Sequence, residues 1–169
     1  MNALDKDDVR ILQLLQHDAR LTNKEIADKI GKSVTPVFER IRRLENENYI
    51  QRYVAVLDKR KINKSLTAYT HVQLKEHARE MLKTFEKEVI RLDEVMECYH
   101  MAGQYDYLLK VAVGDMDEYA DFMLNKLARL ANMGTVHSFF VLHEAKKETA
   151  YRISMPTELR PTRKKSIKK

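Results

Sequence analysis

The segment TNKEIADKIG, residues 22–31, constrains this chain more than any other stretch. Thr22 and Glu25 stand at the two positions of a capping box, in which each side chain accepts the other's backbone N–H. Leu21 and Ile26 flank that start as a hydrophobic staple. Ile26, Ala27 and Ile30 make one apolar stripe, and Gly31 ends the helix by permitting a left-handed conformation. A helix of about two turns is not stable alone, so it must be wedged between neighbours.

Both neighbours are legible. Upstream, Asp5 is an N-cap with Leu4 and Val9 as its staple, and Leu4, Ile11, Leu12 and Leu15 share one face, which predicts a helix from Asp5 to about Gln16. Downstream, Ser33 is the expected N-cap of a helix reaching about Asn48. Pro36 sits in its first turn, where a missing N–H is tolerated. Val37, Ile41 and Leu44 are its inner face, and Thr35, Glu39, Arg40, Arg42 and Arg43 lie opposite. A helix, a short helix, a glycine turn and a longer helix with a polar, basic outer side form the helix-turn-helix pattern. The third helix is then expected to enter a major groove. Arginines can read guanine, and Ser33, Thr35 and first-turn N–H groups can meet phosphate. At 100° per residue the three arginines cannot share one direction, so one or two are expected near bases and the rest at phosphates.

Charge adds less than it first suggests. The net charge is +6, but the last ten residues, RPTRKKSIKK, carry six basic residues and no acidic one, and the rest is balanced. That tail is expected to be disordered, either adding non-specific attraction to phosphate or serving only as a solubilising end. No apolar run approaches membrane-spanning length, and MNALDKDDVR has no apolar stretch of a signal peptide, so a cytoplasmic protein is expected. The single cysteine, Cys98, excludes an intramolecular disulfide and a cysteine-rich zinc site. The histidines at 17, 71, 77, 100, 137 and 143 lack metal-ligand spacing, and no nucleotide-binding or nucleophile motif appears. Neither a metal, a cofactor nor a catalytic group is therefore expected.

Residues 50–57, IQRYVAVL, read as a strand, and 58–65, DKRKINKS, as a polar hinge. From there strands and helices alternate. LTAYTHVQL (66–74) is a half-buried strand, and a helix follows from about Arg79 with Leu82, Phe85, Val89 and Leu92 inward. VMECYHMA (95–102) and YLLKVAV (107–113) form a hairpin across residues 103–106. Asp115 and Glu118 start a further helix with Met116, Tyr119, Met123, Leu127 and Leu130 inward. TVHSFFVL (135–142) is a strand, and TAYRISM (149–155) reads as one more. The order βαββαβ is that of a ferredoxin-like sandwich, with helices on one sheet face. Phe139 and Phe140 point to opposite faces, so the open face is expected to be buried by a second subunit.

The block TNKEIADKIGKSVTPVFERIRRLENENYIQRYVAVLD resembles the DNA-binding module of the Lrp/AsnC family, and ECYHMAGQYDYLLKVAV followed by DMDEY resembles that family's sensing domain. The resemblance spans about residues 3–155. It implies an α+β protein: an N-terminal winged-type helix-turn-helix domain at 1–57, a hinge at 58–65, a ferredoxin-like βαββαβ ligand-sensing and dimerisation domain at 66–155, and the tail at 156–169. It implies a homodimer assembling to octamers, double-stranded DNA as partner, and an amino-acid effector bound between dimers. The DNA-contacting residues are then expected among Asn23, Lys24, Ser33, Thr35, Pro36, Glu39, Arg40, Arg42 and Arg43. The effector site is expected at Met101, Ala102, Gly103, Gln104, Tyr105, Asp106 and Tyr107, faced by Val136, His137 and Ser138 of a neighbouring subunit. Asp106 is either a ligand for the effector's ammonium group or a turn residue bonding its own backbone. Two other functions suit the same scaffold: an architectural DNA protein without effector, and a sirohaem decarboxylase using His100 and His137. The basic third helix weighs against the enzyme.

Overall fold

The computed structural model describes residues 3–155, and the basic tail lies outside them. The chain divides into two compact units, one formed by residues 3–55 with 146–155 and the other by residues 56–145.

The first unit holds α1 (Lys6–His17), α2 (Asn23–Ile30) and α3 (Val34–Asn46). The cap of α1 is complete: Asp5 accepts from the N–H of Asp7 and Asp8, and Asp8 accepts the N–H of Asp5. Thr22 and Glu25 form the expected reciprocal box. Gly31 closes α2 at φ 71°, a left-handed value that a Cβ would resist. Ser33 has the extended backbone of an N-cap, but its side chain makes no capping hydrogen bond. The core where the helices meet is entirely aliphatic: Ile11, Leu12, Leu15, Ile26, Ala27, Ile30, Val37, Ile41 and Leu44.

Two expected strands are absent here. Residues 51–57 make no strand pairing among the described residues, and Tyr53, Val54, Val56 and Leu57 are exposed. Alternating apolar residues favour an extended backbone, but a strand needs a second edge to share hydrogen bonds. Residues 149–155 are not a strand either. They run along α1, where Gln16 exchanges two bonds with the backbone of Tyr151, at 3.1 and 2.7 Å, and Gln13 donates to the Ile153 carbonyl at 3.3 Å. Side-chain amides thus satisfy a backbone that no neighbouring strand reaches.

The second unit contains β1 (Leu66–Leu74), α4 (Arg79–Val89), β2 (Val95–His100), β3 (Tyr107–Val113), α5 (Met116–Asp121) and β4 (Met133–Phe140). The sheet is antiparallel in the order β2-β3-β1-β4. Alternation along β1 turns Ala68, Val72 and Leu74 into a core with Phe85, Val89, Tyr107, Leu109, Val111, Tyr119 and Phe122. The helix after Asp115 is not the single regular helix expected. It passes from α5 into a π turn, Phe122–Lys126, and a 3₁₀ turn, Leu127–Arg129. Phe122 and Leu127 are both fully buried. A spacing of five falls on one side of a π turn and not of an α-helix. Met116, expected inward, is exposed. Residues 58–65 are fastened to this unit: Lys64 pairs with Glu118 at 2.6 Å, and the Ser65 hydroxyl donates to the Gly114 carbonyl at 2.9 Å.

Candidate functional site

Two surfaces carry the residues singled out in the sequence. The first is α3. Val37, Ile41 and Leu44 anchor its inner side. Ser33, Val34, Thr35, Pro36, Phe38, Glu39 and Arg42 are exposed. At 100° per residue Thr35, Glu39, Arg42 and Asn46 form one outward line. Among the described residues no acid pairs with Arg42. At the start of α2, Asn23 is half-buried and Lys24 exposed.

The other two arginines of α3 are not on that line. Arg40 bonds Asp5 at 2.5 Å and Asp8 at 2.7 Å, and Arg43 bonds Asp8 at 2.5 Å. The Asp8 side chain is 1% exposed, and each arginine side chain 31%. Two cations converging on one buried carboxylate neutralise it and tie α3 to the first turn of α1. Burial works to raise the Asp5 carboxyl, but the Asp8 N–H and the Arg40 guanidinium outweigh it and hold the group below the usual carboxylate range. Hydrogen bonds to Asp5 and to Asp8 likewise raise Arg40 and Arg43. From sequence all three arginines are expected at DNA, one or two near bases and the rest at phosphates. The missed signal is the pairing of an acidic first turn in α1 with basic residues three apart on one flank of α3.

The second surface is the β2–β3 turn and the sheet face without helices. Met101, Ala102, Gly103 and Gln104 are exposed, and Gly103 has φ 149°, a value suited to glycine. Tyr107 points inward, stacked with His100 and tilted against Phe85, and its hydroxyl donates to Glu86 at 3.0 Å. The Asp106 carboxylate is engaged on both sides, accepting the Leu74 N–H at 2.7 Å and pairing with the His77 ring at 3.0 Å. Its backbone adds a bond to the Val72 carbonyl. Asp106 therefore pins the turn to the end of β1, and His77, which sequence spacing alone does not link to it, is its partner.

The residues expected to face the turn separate by register. His137 lies opposite His71 on the open face, whereas Val136 and Ser138 fall on the helix-covered face. Val136 packs against the core, and Ser138 accepts from the Tyr119 hydroxyl. On the open face, Tyr105 touches His71 and His137, with ring centroids 4.9 and 5.5 Å apart, and Phe139 also meets His71. Phe140 turns the other way, onto Tyr119. Tyr69, Tyr99 and Phe139 remain exposed, and Lys110 pairs with Glu97 at 2.6 Å between them. Cys98 sits apart from both surfaces. Burial and the Glu86 carboxylate push its thiol up to about 11, leaving a poor nucleophile. Among the described residues no group of three His, Cys, Asp or Glu could hold a metal ion, and no helix is long and apolar enough to cross a membrane.

A helix-turn-helix unit with a bare outward helix edge, followed by a βαββαβ unit with an exposed glycine turn, is the build of a DNA-binding transcriptional regulator. Comparison with known proteins agrees over both units. Residues 4–51 match the winged helix-turn-helix DNA-binding family, and residues 67–151 match the Lrp/AsnC ligand binding domain. The chain is 37% identical over 142 residues to the Bkd operon transcriptional regulator of Pseudomonas aeruginosa, covering 84% of this chain and 93% of that one. It is 36% identical over 144 residues to the leucine-responsive regulatory protein of Escherichia coli, covering 85% and 88%. Among solved structures, a transcriptional regulator of Neisseria meningitidis in complex with L-Met is 33% identical with a TM-score of 0.84, covering 89% of this chain and 97% of its own. An AsnC family regulator from Agrobacterium tumefaciens gives 36% and 0.84, covering 88% and 97%. The chain belongs to the Lrp/AsnC family of transcriptional regulators.

Proposed function

We propose that this regulator reads duplex DNA with the outward line and first turn of α3, and that a small amino acid at the β2–β3 turn modulates binding or assembly. The observation that carries the reading is the bare edge formed by Thr35, Glu39 and Arg42 on a helix whose other sides are fixed. Arg42 and Thr35 meet base edges, with Glu39 restricting which base is accepted. Ser33, the first-turn N–H groups beside Pro36, and Asn23 and Lys24 on α2 meet phosphate. Arg40 and Arg43 stay outside that set, because their guanidinium groups are held by Asp5 and Asp8.

The effector half of the proposal draws support from the Neisseria relative, solved with L-Met. An amino acid offers an ammonium and a carboxylate. The exposed turn of Ala102, Gly103 and Gln104 suits both, with Met101 and Tyr105 beside it and His137 against the Tyr105 ring. Asp106, already bonded to Leu74 and His77, orients the turn. A homodimer closing over Tyr69, Tyr99 and Phe139, and stacking to an octamer, would bring the second wall. The function includes no catalytic step, and a DNA partner implies the cytoplasm.

A melting screen of the full-length protein against the twenty amino acids tests this part, since a ligand stabilises the state it binds. One or a few are expected to raise the melting temperature or change the assembly size, and Asp106→Ala should abolish that response while leaving effector-free DNA affinity intact. No response to any of the twenty would remove the effector. A gel-shift series in which every duplex binds equally would remove sequence-specific reading.

A further inference from the structure

The three arginines of α3 are treated unequally by the fold, and this inequality has a consequence for selectivity. Arg42 is exposed without an acidic partner among the described residues. Arg40 and Arg43, two residues before it and one after, are drawn to α1 by a carboxylate that the solvent does not reach. Asp8 already has a structural duty, accepting the Asp5 N–H at 3.0 Å, and that bond needs one carboxyl oxygen and no charge. The negative charge of Asp8 therefore goes to the arginines. A helix in a major groove runs between two rows of phosphates. Two long cations on its flank would find them wherever the protein landed.

We propose that Asp8, assisted by Asp5, is a specificity-determining positioning residue: it withholds Arg40 and Arg43 from the DNA backbone, so that affinity depends on the outward line carrying Thr35, Glu39 and Arg42. The inference rests on reading α3 as the recognition helix. Its physical basis is that phosphate contacts attract every sequence alike, whereas base contacts discriminate. Withdrawing two phosphate-seeking charges lowers the background more than the specific signal. Asp8 touches no DNA itself and acts through the arginines.

The experiment measures equilibrium binding of the full-length protein across a salt series. The probes are a duplex selected from a random pool by the wild-type protein and poly(dI-dC). In Asp8→Asn, the side-chain oxygen still caps α1 while the charge is gone. The slope of log affinity against log salt is expected to steepen by about one to two on poly(dI-dC), as one or two added phosphate contacts require, and by less on the selected duplex, where base contacts fix the register of the helix. Preference for the selected duplex should fall accordingly. Adding Arg40→Gln and Arg43→Gln to Asp8→Asn should restore the wild-type slope, which a merely structural role of Asp8 would not do. Arg40→Gln alone leaves Asp8 paired with Arg43 and should leave the slope unchanged. A folded Asp8→Asn protein with the wild-type slope would overturn the proposal. Should that variant fail to fold, Arg40→Gln decides: an unchanged slope supports the clamp, and a slope shallower by about one overturns it. A wild-type protein with no preference between the probes would sink the recognition-helix reading instead.

Discussion

The two units hold their working surfaces in opposite ways. In the helical unit the surface lies on a regular helix, backed by an aliphatic core and by charges on a neighbouring helix. In the sheet unit it lies on a turn, followed by Tyr107 packed against Phe85, with its one acid committed to the end of β1. The outward line of α3, the proposed DNA face, is thus presented with its side chains exposed. The turn presents mainly backbone, and its second wall belongs to another copy in the proposed assembly. A rigid rod can be finished within one chain, whereas a turn with exposed backbone is completed by what docks on it.

Removing the ring that anchors the sheet core should have the largest effect. Phe85→Ala is expected to cost the sheet unit about 3–5 kcal/mol. Calorimetry should then show one transition lowered and the helical one in place. An equal loss in both would mean that the units do not have separate cores. Next, Arg42→Ala should weaken binding to a selected duplex by about 1–3 kcal/mol, roughly 5- to 150-fold, without moving either transition. An unchanged affinity would break the contrast from the DNA side. Thr22→Ala should cost the helical unit about 1 kcal/mol, seen as a lowered helical transition only.

Acid should act on both units, through different pairs. The Lys110 ammonium, against burial and with the Tyr99 hydroxyl, holds the Glu97 carboxyl below its ordinary value. Asp5 is held down in the helical unit. A carboxyl depressed in the folded state contributes stability that is complete above its unfolded value and is lost as pH falls through its folded value. Stability should therefore decline below the ordinary carboxylate range. Glu97→Gln should flatten only the sheet unit's decline, by a few tenths of a kcal/mol, because the pair is partly exposed. A steeper decline in that variant would contradict the assignment.

Much of this was legible along the chain because it is local. Asp5 fixes where α1 begins, and Thr22, Glu25 and Gly31 fix where α2 begins and ends, through bonds spanning a few residues. Alternation placed β1 and β3, and opposite-facing Phe139 and Phe140 followed from a period of two. Periodicity could not show whether residues 51–57 had a partner strand, nor that Phe122 and Leu127 needed a π turn to reach one core.

The sequence by itself determined where α1 and α2 begin, the βαββαβ order and the position of the turn, because each depends on neighbours in the chain. Only the tertiary structure decided which arginine of α3 stays free and what Asp106 holds. Asp8 and Arg43 lie 35 residues apart, Leu74 and Asp106 lie 32 apart, and pairing at such distances depends on how packed elements face one another.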